Sequence, residues 1–213
     1  MESKAMRVVS RESSKLELKV IPGHFATNHS HINYYIDMTT IKCRQSAAQE
    51  AAKAIVKEYV TTTPIDTIIC MDGCETIGAY LAEELTDAGF MSMNAHKSIY
   101  VVTPEFNSAG QMIFRDNLQP MVKNKHVLLL LASATTGRTI ERSLECIAYY
   151  GGIVEGISAL FSAADQVAGR EIHSVFNVSD LPSYNTYAHN ACPYCQNGQP
   201  IEAIVNSYGY SKL

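Results

Sequence analysis

Hydrophobic and polar positions along this 213-residue chain change period from strand to helix and back several times. Residues 16–21 alternate with period two, which is typical of a strand that ends at Pro22-Gly23. Residues 44–59 place apolar side chains on one face of an Ala-, Gln- and Glu-rich segment and predict a helix. Further strands are predicted at 34–37, 66–71, 98–103, 111–115, 127–131, 153–161 and 172–178, and further helices at 75–88, ended by Gly89, and from Ile140 to Gly151.

Strands that alternate with helices predict an α/β protein with a mainly parallel twisted sheet and helices on both faces. The strands at 98–103 and 111–115 predict a β-hairpin arm. Since no repeat, low-complexity tract or linker divides the chain, residues 1–213 are predicted to form one domain. Its core covers about residues 15–180, and a Cys-containing tail covers 181–213.

The segment 126–139 joins a buried strand, a loop of small residues and the start of a helix. Residues 127–131 form an unbroken apolar run, and residues 132–139 are short, small and rich in hydroxyls. The free amides and the dipole of a first helical turn favour a phosphate there. The candidate phosphate-binding residues are Thr135, Thr136, Gly137, Arg138 and Thr139. The alternative is an ordinary turn in which the threonines cap the helix.

A second loop follows the predicted strand 66–71. Ligands of parallel sheets bind beyond the carboxyl ends of the strands, so residues 72–76 should lie beside residues 132–139.

Composition narrows the functional classes. A hydrophobic content of 46% with 18% charged residues is typical of a folded globular chain, and a net charge of −4 argues against nucleic-acid binding through bulk electrostatics. No apolar run approaches the ~20 residues that span a membrane, and no signal core follows the N-terminus, so a cytoplasmic location is expected. In that compartment the six cysteines are expected to be thiols or metal ligands rather than disulfides.

Residues 189–198, His-Asn-Ala-Cys-Pro-Tyr-Cys-Gln-Asn-Gly, have the pattern of a zinc knuckle. Cys192 and Cys195 would supply two thiolates, and His189 a third ligand of a structural Zn²⁺. The fourth ligand would be His24, His29, His31 or Cys43, or a residue of a partner subunit. A redox dithiol and two buried structural cysteines are the alternatives, and loop histidines by themselves are more typical of a surface.

Four stretches together resemble the type I phosphoribosyltransferases, and among them the orotate phosphoribosyltransferases. Residues 25–37 contain a Phe and a Tyr-x-Asp strand like those of the family's N-terminal segment, and residues 68–78 lie where the family has its diphosphate-binding loop. Lys97 lies where the family has a lysine just before its hairpin hood, and residues 127–139 lie where the family has its fingerprint motif. The order and spacing of these parts, over roughly residues 15–180, are more specific than any single motif.

The resemblance implies transfer of ribose 5-phosphate from phosphoribosyl diphosphate to a nucleobase, as in pyrimidine biosynthesis or nucleotide salvage. It implies that the loop 135–139 holds the 5-phosphate and that the backbone of Asp72, Gly73 and Cys74 faces the diphosphate. Lys97 and Asp72 become candidate catalytic residues. Mg²⁺ as cofactor and a homodimer are also implied, with phosphoribosyl diphosphate or a nucleoside monophosphate as ligand.

Two departures set this chain apart from the family pattern. The family's two acidic residues before the phosphate loop are Leu131 and Ala132 here, and neither side chain accepts a hydrogen bond. The hood, residues 98–111, contains Glu105 as its one charged residue, and that charge opposes a diphosphate. The alternative is therefore a catalytically impaired protein of this fold that binds a nucleotide or sugar phosphate as a sensor or regulator.

Overall fold

A computed structural model describes residues 2–87, 92–95, 97–108, 110–181 and 183–213, so the predicted helix end at Gly89 lies outside the described residues. The strands are β1 (Met6–Val9), β2 (Glu17–Ala26), β3 (His31–Asp37), β4 (Thr67–Cys70), β5 (Tyr100–Val102), β6 (Glu105–Phe106), β7 (Met112–Ile113), β8 (His126–Ala134), β9 (Ile153–Ser162), β10 (Gln166–Val167), β11 (Arg170–Glu171), β12 (His173–Asn177), β13 (Thr186–Tyr187), β14 (Ala203–Asn206) and β15 (Gly209–Lys212). The helices are α1 (Thr39–Cys43), α2 (Gln45–Val56), α3 (Glu75–Asp87), α4 (Arg138–Tyr149) and α5 (Pro193–Gln196).

A five-stranded parallel sheet with the order β12-β9-β8-β4-β5 forms the centre of the protein, as the alternation of strands and helices predicts. Side chains of β8 alternate between two apolar clusters. Leu128 and Leu130 pack with residues of α2 and α3, whereas Leu129 and Leu131 pack with residues of α4. Helices therefore cover both faces of the sheet, which confirms the predicted α/β fold class.

The predicted strands at 16–21 and 34–37 belong to a second sheet with the order β13-β3-β2-β14-β15, to which β1 adds on β2. They pair antiparallel with each other because a short turn, residues 27–30, connects β2 to β3. The tail completes this sheet on both sides: β13 pairs with β3, and β14 pairs parallel with β2 through Ala203 and Phe25.

A hairpin arm is present as the antiparallel pair β6–β7, but its first strand lies in the predicted loop 104–110. The predicted first strand, 98–103, was wrong for the arm, because β5 instead pairs parallel with β4 in the central sheet. Arg115, just after β7, donates two hydrogen bonds of 2.7 and 3.0 Å to one carboxylate oxygen of Glu105. The negative charge that was expected to oppose a diphosphate is therefore paired. Within the described ranges, none of the helices has both the length and the apolar character that crossing a membrane requires.

Candidate functional site

The loop after β8 is shorter than the sequence suggests. β8 continues to Ala134, so the loop consists of residues 135–137, and α4 begins at Arg138 with Gly137 as N-cap. This N-cap makes no side-chain hydrogen bond to the helix. The amides of the first turn are therefore not capped by a threonine hydroxyl at that position, and they remain donors for a ligand.

The backbone conformation and the packing at position 137 both require glycine. Its φ of +74° lies in the left-handed region that favours glycine. A Cβ at this position would lie 2.6 Å from Cγ2 of Val167, which is closer than real Cβ contacts. The start of α4 is thus set by the absence of a side chain at one residue.

The turn after β4 reaches the same edge of the sheet. Asp72 and Gly73 both have positive φ, 59° and 78°, and the Cys74 amide donates to the carbonyl of Met71 at 3.1 Å. The Cys74 side chain is buried, and burial raises the pKa of its thiol well above the ordinary value. The thiol therefore stays neutral, and the Cys74 amide and carbonyl are already hydrogen-bonded to Met71 and Gly78.

The Asp72 carboxylate links the two loops. The side chain of Ser207 from the tail and the backbone N–H of Ala132 lie near it, and both act to lower the pKa of the carboxyl group. Burial is the largest influence on this group and raises the pKa of Asp72 above the ordinary aspartate value. A carboxyl group from the turn after β4 therefore lies directly beside the strand position at which the acidic pair was expected.

An open cleft of about 250 Å³ lies between the two sheets at this edge. Its described lining residues are Thr27, Asn28, His29, Ile32, Tyr35, Ile36, Met38, Asp72, Ser133, Thr135, Thr139, Phe161, Tyr184, Val205, Asn206 and Ser207. Of the predicted phosphate- and diphosphate-binding residues, Asp72, Thr135 and Thr139 line the cleft, while Thr136 and Arg138 are exposed beside it.

One wall of the cleft is aromatic. The rings of Phe161 and Tyr184 meet edge to face with centroids 5.2 Å apart, and Tyr35 lines the same cleft. Burial raises the pKa of Tyr35 to about 12, so its hydroxyl remains protonated and can donate a hydrogen bond. Nothing in the sequence indicates that Tyr184 of the tail lies beside Phe161 of β9.

The positions of the acidic pair do not reach the cleft. Leu131 is 1% exposed and Ala132 is fully buried, each in one of the two apolar clusters. Mg²⁺ prefers several oxygen ligands, and Asp72 is the one carboxylate among the described lining residues. The residues present therefore do not form a binding site for Mg²⁺ on the ribose side.

Lys97 does not lie at the cleft. Its ammonium is 3.8 Å from the carboxylate of Asp66, which immediately precedes β4. This is the amino edge of the parallel sheet, opposite to the loops that carry the candidate ligand site. The structure thus places Lys97 away from the candidate site, which corrects its choice as a candidate catalytic residue, whereas Asp72 lines the cleft.

Lys42 is a lysine of the site that sequence analysis missed. It is 7% exposed, and its Nζ donates to the backbone carbonyls of Asp72 at 2.7 Å and Ser207 at 2.6 Å. The same Nζ lies 5.7 Å from the ring centroid of Tyr208. The residue therefore joins α1, the turn after β4 and the β14–β15 hairpin, and its charge is engaged by protein carbonyls.

We expect Lys42→Met to lower the free energy of unfolding by about 2 kcal/mol, because the two carbonyl oxygens lose a charged donor. Urea denaturation measures this change. The matched control is Lys53→Met on α2, whose ammonium lies 3.8 Å from Glu50 near the surface and should change stability by less than about 0.5 kcal/mol. Equal effects of the two substitutions would contradict the role assigned to Lys42.

A second group of potential ligands lies on the other side of the turn 27–30. One ligand atom from each of four side chains lies within 4.8 Å of every other, and three of the four side chains are buried. The four residues are His24, His31, Cys192 and Cys195.

The structure brings both predicted cysteines to this group but pairs them with His24 and His31 rather than with His189. The His189 ring lies beside that of His31, with centroids 5.0 Å apart, and its Nε2 is 3.4 Å from the carbonyl oxygen of Thr27. His24 and His31 are 2% and 7% exposed, so they are not the surface loop residues that their sequence context suggested. His29 lines the ligand cleft instead.

No protein-family model and no curated protein matches this chain. Solved structures do match. UMP synthase of Leishmania donovani aligns with a TM-score of 0.54 and 16% identity over 84% of this chain and 36% of that chain. Orotate phosphoribosyltransferase of Mycobacterium tuberculosis aligns with a TM-score of 0.51 and 17% identity over 78% of this chain and 93% of that chain.

Adenine phosphoribosyltransferase of Thermoanaerobacter pseudethanolicus aligns with a TM-score of 0.50 and 15% identity over 83% of this chain and 96% of that chain. At these identities the agreement concerns the course of the backbone. Together with the parallel sheet, the hairpin arm and the loop that starts α4, it shows that this chain has the type I phosphoribosyltransferase fold.

Proposed function

We propose that this protein binds a nucleoside 5′-monophosphate, or a closely related ribose 5-phosphate, in the cleft between its two sheets. The observation that carries the proposal is the start of α4. Its N-cap, Gly137, provides no capping side chain, and Thr135 and Thr139 line the same cleft. A phosphate monoester would accept hydrogen bonds from their hydroxyls and from the amides of the first helical turn.

The charge of the cleft favours a monophosphate over phosphoribosyl diphosphate. Among its described lining residues there is no lysine or arginine, and the nearby Lys42 is engaged by two carbonyls. Arg138 at the start of α4 supplies one exposed cation beside the loop. One cation and a helix terminus suit one phosphate group, whereas a diphosphate concentrates more negative charge than this lining offsets.

Other residues of the cleft lining suit a sugar or a planar base. Tyr35 and Tyr184 offer aromatic surface, and Asn28 offers an amide group that both donates and accepts hydrogen bonds. The side-chain oxygen of Asn206 already accepts from the amides of Tyr208 and Gly209, so this residue offers its NH₂ group as a donor. Together with the residues proposed to hold the phosphate, they support a ligand that carries a phosphate, a ribose and a base. We assign no particular base, since amides and aromatic rings accommodate several.

Phosphoribosyl transfer from phosphoribosyl diphosphate to a nucleobase, orotate or another, is the second candidate function. The observation that favours it is the carboxyl group of Asp72, which lies beside Ala132 where the family places acidic residues. A carboxylate there could accept hydrogen bonds from ribose hydroxyls. Mg²⁺ would then have to be held mainly by the diphosphate, because the described lining of the cleft offers one carboxylate. A homodimer, implied by the resemblance, belongs to the same proposal, and sedimentation analysis tests it.

Calorimetry with a panel of nucleoside 5′-monophosphates, the matching nucleosides, inorganic phosphate and phosphoribosyl diphosphate tests the first function. We expect at least one monophosphate to bind at least tenfold more tightly than its nucleoside, because the phosphate contacts are lost in the nucleoside. A nucleoside that binds as tightly as its monophosphate would contradict the proposed phosphate site. Diphosphate release from phosphoribosyl diphosphate with a panel of bases tests the second function.

Asp72→Asn separates the two functions. Asparagine tolerates the positive φ at this position as aspartate does and keeps an oxygen for the Ala132 amide. For a monophosphate-binding protein, we expect affinity to stay equal or rise a few-fold, since one negative charge near the phosphate is removed. For a transferase, we expect diphosphate release to fall by at least about 100-fold. A variant that binds monophosphate more weakly would show that the carboxylate itself holds the ligand.

A further inference from the structure

The side chains of His24, His31, Cys192 and Cys195 converge with the dimensions of a tetrahedral metal site. His24 Nε2 is 3.0 Å from His31 Nδ1, and the Cys192 and Cys195 sulfurs are 3.4 and 3.6 Å from His24 Nε2. The Cys195 sulfur is 3.3 Å from His31 Nδ1. Zn–N and Zn–S bonds of about 2.0–2.1 and 2.3 Å give tetrahedral edges of roughly 3.3 Å between nitrogens and roughly 3.6 Å between nitrogen and sulfur.

Hydrogen bonding from outside the group orients His24 as a ligand. Its Nδ1 lies 3.0 Å from the carbonyl oxygen of Gln199 and 3.2 Å from that of Pro200. Carbonyl oxygens only accept, so the proton is on Nδ1 and the lone pair of Nε2 points to the centre of the group. Backbone carbonyls that orient a histidine in this way are the usual outer partners of metal-bound imidazole.

The backbone around the cysteines also fits a metal site. Pro193 begins the single turn α5, the Gln196 amide donates to the Cys192 carbonyl at 3.1 Å, and Gly198 has a φ of +70°. This compact turn directs both sulfurs to the same point. Two nitrogens and two sulfurs thus converge within 4.8 Å of one another, so that one cation between them would contact all four.

We propose that His24 Nε2, His31 Nδ1, Cys192 Sγ and Cys195 Sγ bind one structural Zn²⁺ ion. Two thiolates and two imidazoles are ligands that zinc prefers in tetrahedral geometry. On binding, each thiol releases its proton to solvent, and the complex of Zn²⁺ with two thiolates and two neutral imidazoles carries no net charge. A neutral complex suits a group in which three of the four side chains are buried.

The position of the ion in the fold defines its role. It joins the β2–β3 hairpin, which carries both histidines, to the tail, which carries both cysteines. The same hairpin contributes Thr27, Asn28 and His29 to the ligand cleft, and the tail contributes residues 205–207. The ion therefore fixes two walls of the cleft relative to each other without touching the cleft, as a closed structural site does.

Elemental analysis and cobalt substitution of the full chain test the site without any phosphate ligand, so the result is independent of the proposed function. We expect about one zinc per chain in protein purified with a thiol reductant. Replacement by Co²⁺ should give the strong visible absorption of a tetrahedral site and an ultraviolet thiolate-to-cobalt band. Protein without zinc, together with a cobalt spectrum that lacks these bands, would overturn the proposal.

Variants identify the ligands. Cys195→Ser and His31→Ala should each weaken metal binding by about 100-fold or more, because each removes one of four bonds. His189→Ala and Cys43→Ser are the matched controls and should retain one zinc per chain, since neither belongs to the group of four. Loss of zinc from His189→Ala as large as that from Cys195→Ser would overturn the ligand set. A Cys192–Cys195 disulfide in metal-free protein purified without reductant would show a redox dithiol instead.

Discussion

Removal of the metal by a chelator should open the C-terminal tail and lower the melting temperature by on the order of 10 °C. A ligand that binds only the folded state, present at ~1,000 times its dissociation constant, contributes about 4 kcal/mol. In a chain of this size each kcal/mol shifts the melting temperature by roughly 2–4 °C. The proposed zinc is therefore the ligand whose removal has the largest expected effect on stability.

The loss of stability on metal removal should first affect the tail and not the whole protein. The tail contributes little apolar surface of its own, and the small cluster around β14 joins Ala203 and Val205 to Ile21, Phe25 and other residues of β2 and β3. The parallel sheet has two separate clusters that include none of the four proposed ligands. We therefore expect metal-free protein to keep the parallel sheet folded and to lose order in residues 181–213 at lower temperature.

Limited proteolysis with chymotrypsin measures this opening, because the tail contains several tyrosines. Cleavage after Tyr187 and Tyr194 should accelerate at least tenfold on chelation and return to the original rate when zinc is restored. His189→Ala is the control, in which chelation should still be needed to accelerate cleavage. A chelated protein with zinc fully removed and an unchanged melting curve would contradict the structural role.

Gly137→Ala should weaken binding of the monophosphate by about 10- to 100-fold, which corresponds to one or two hydrogen bonds to a charged group. Alanine at this position meets Cγ2 of Val167 at 2.6 Å, and its positive φ costs roughly 1–2 kcal/mol. Both effects displace the start of α4, so its amides no longer point at the phosphate. Calorimetry measures affinity, and urea denaturation measures the accompanying loss of stability.

Two matched variants separate the cost of the positive φ from the clash with Val167. Gly169 has the same φ of +74°, but nothing lies within 4 Å of its Cβ position, so Gly169→Ala reports the backbone cost alone and should leave affinity unchanged. Val167→Ala removes Cγ2, the atom that would clash with a Cβ at residue 137. The Cβ of residue 167 that remains lies 3.6 Å from that position, which is an ordinary van der Waals contact. Combined with Gly137→Ala, it should restore part of the affinity. If Gly169→Ala weakens binding as much as Gly137→Ala, loop geometry is not the cause.

The parallel sheet could be predicted because its signals are local. The apolar run at 127–131 and the change of period at residue 140 reflect how a buried strand and an amphipathic helix expose their side chains. β8 nevertheless extends to Ala134, because Ser133 and Ala134 pair with β9, and pairing depends on a neighbour that a single segment does not reveal. The loop that holds the candidate phosphate site was found from sequence, but its length was not.

The second sheet could not be predicted, since it joins segments that are more than 150 residues apart. β2 pairs with β14, and β3 pairs with β13, so the strand pattern at 16–21 and 34–37 is compatible with either sheet. The same large separation along the chain explains why some residues that line the cleft could not be predicted. Tyr184, Asn206 and Ser207 look like ordinary tail residues until the tail is placed beside Asp72 and Phe161.

Spacing within single segments was enough to predict the α/β class, the position of the loop after β8 and the two cysteines that join the group of four. Which residues share a site became known only from the packed chain. The packed chain groups Cys192 and Cys195 with His24 and His31 rather than with His189. It also places Lys97 at the amino edge of the parallel sheet and Lys42 beside Asp72, near the cleft. Ligand sets and charge pairs form between segments that are distant in the chain, and those segments come together only because the two sheets pack against each other.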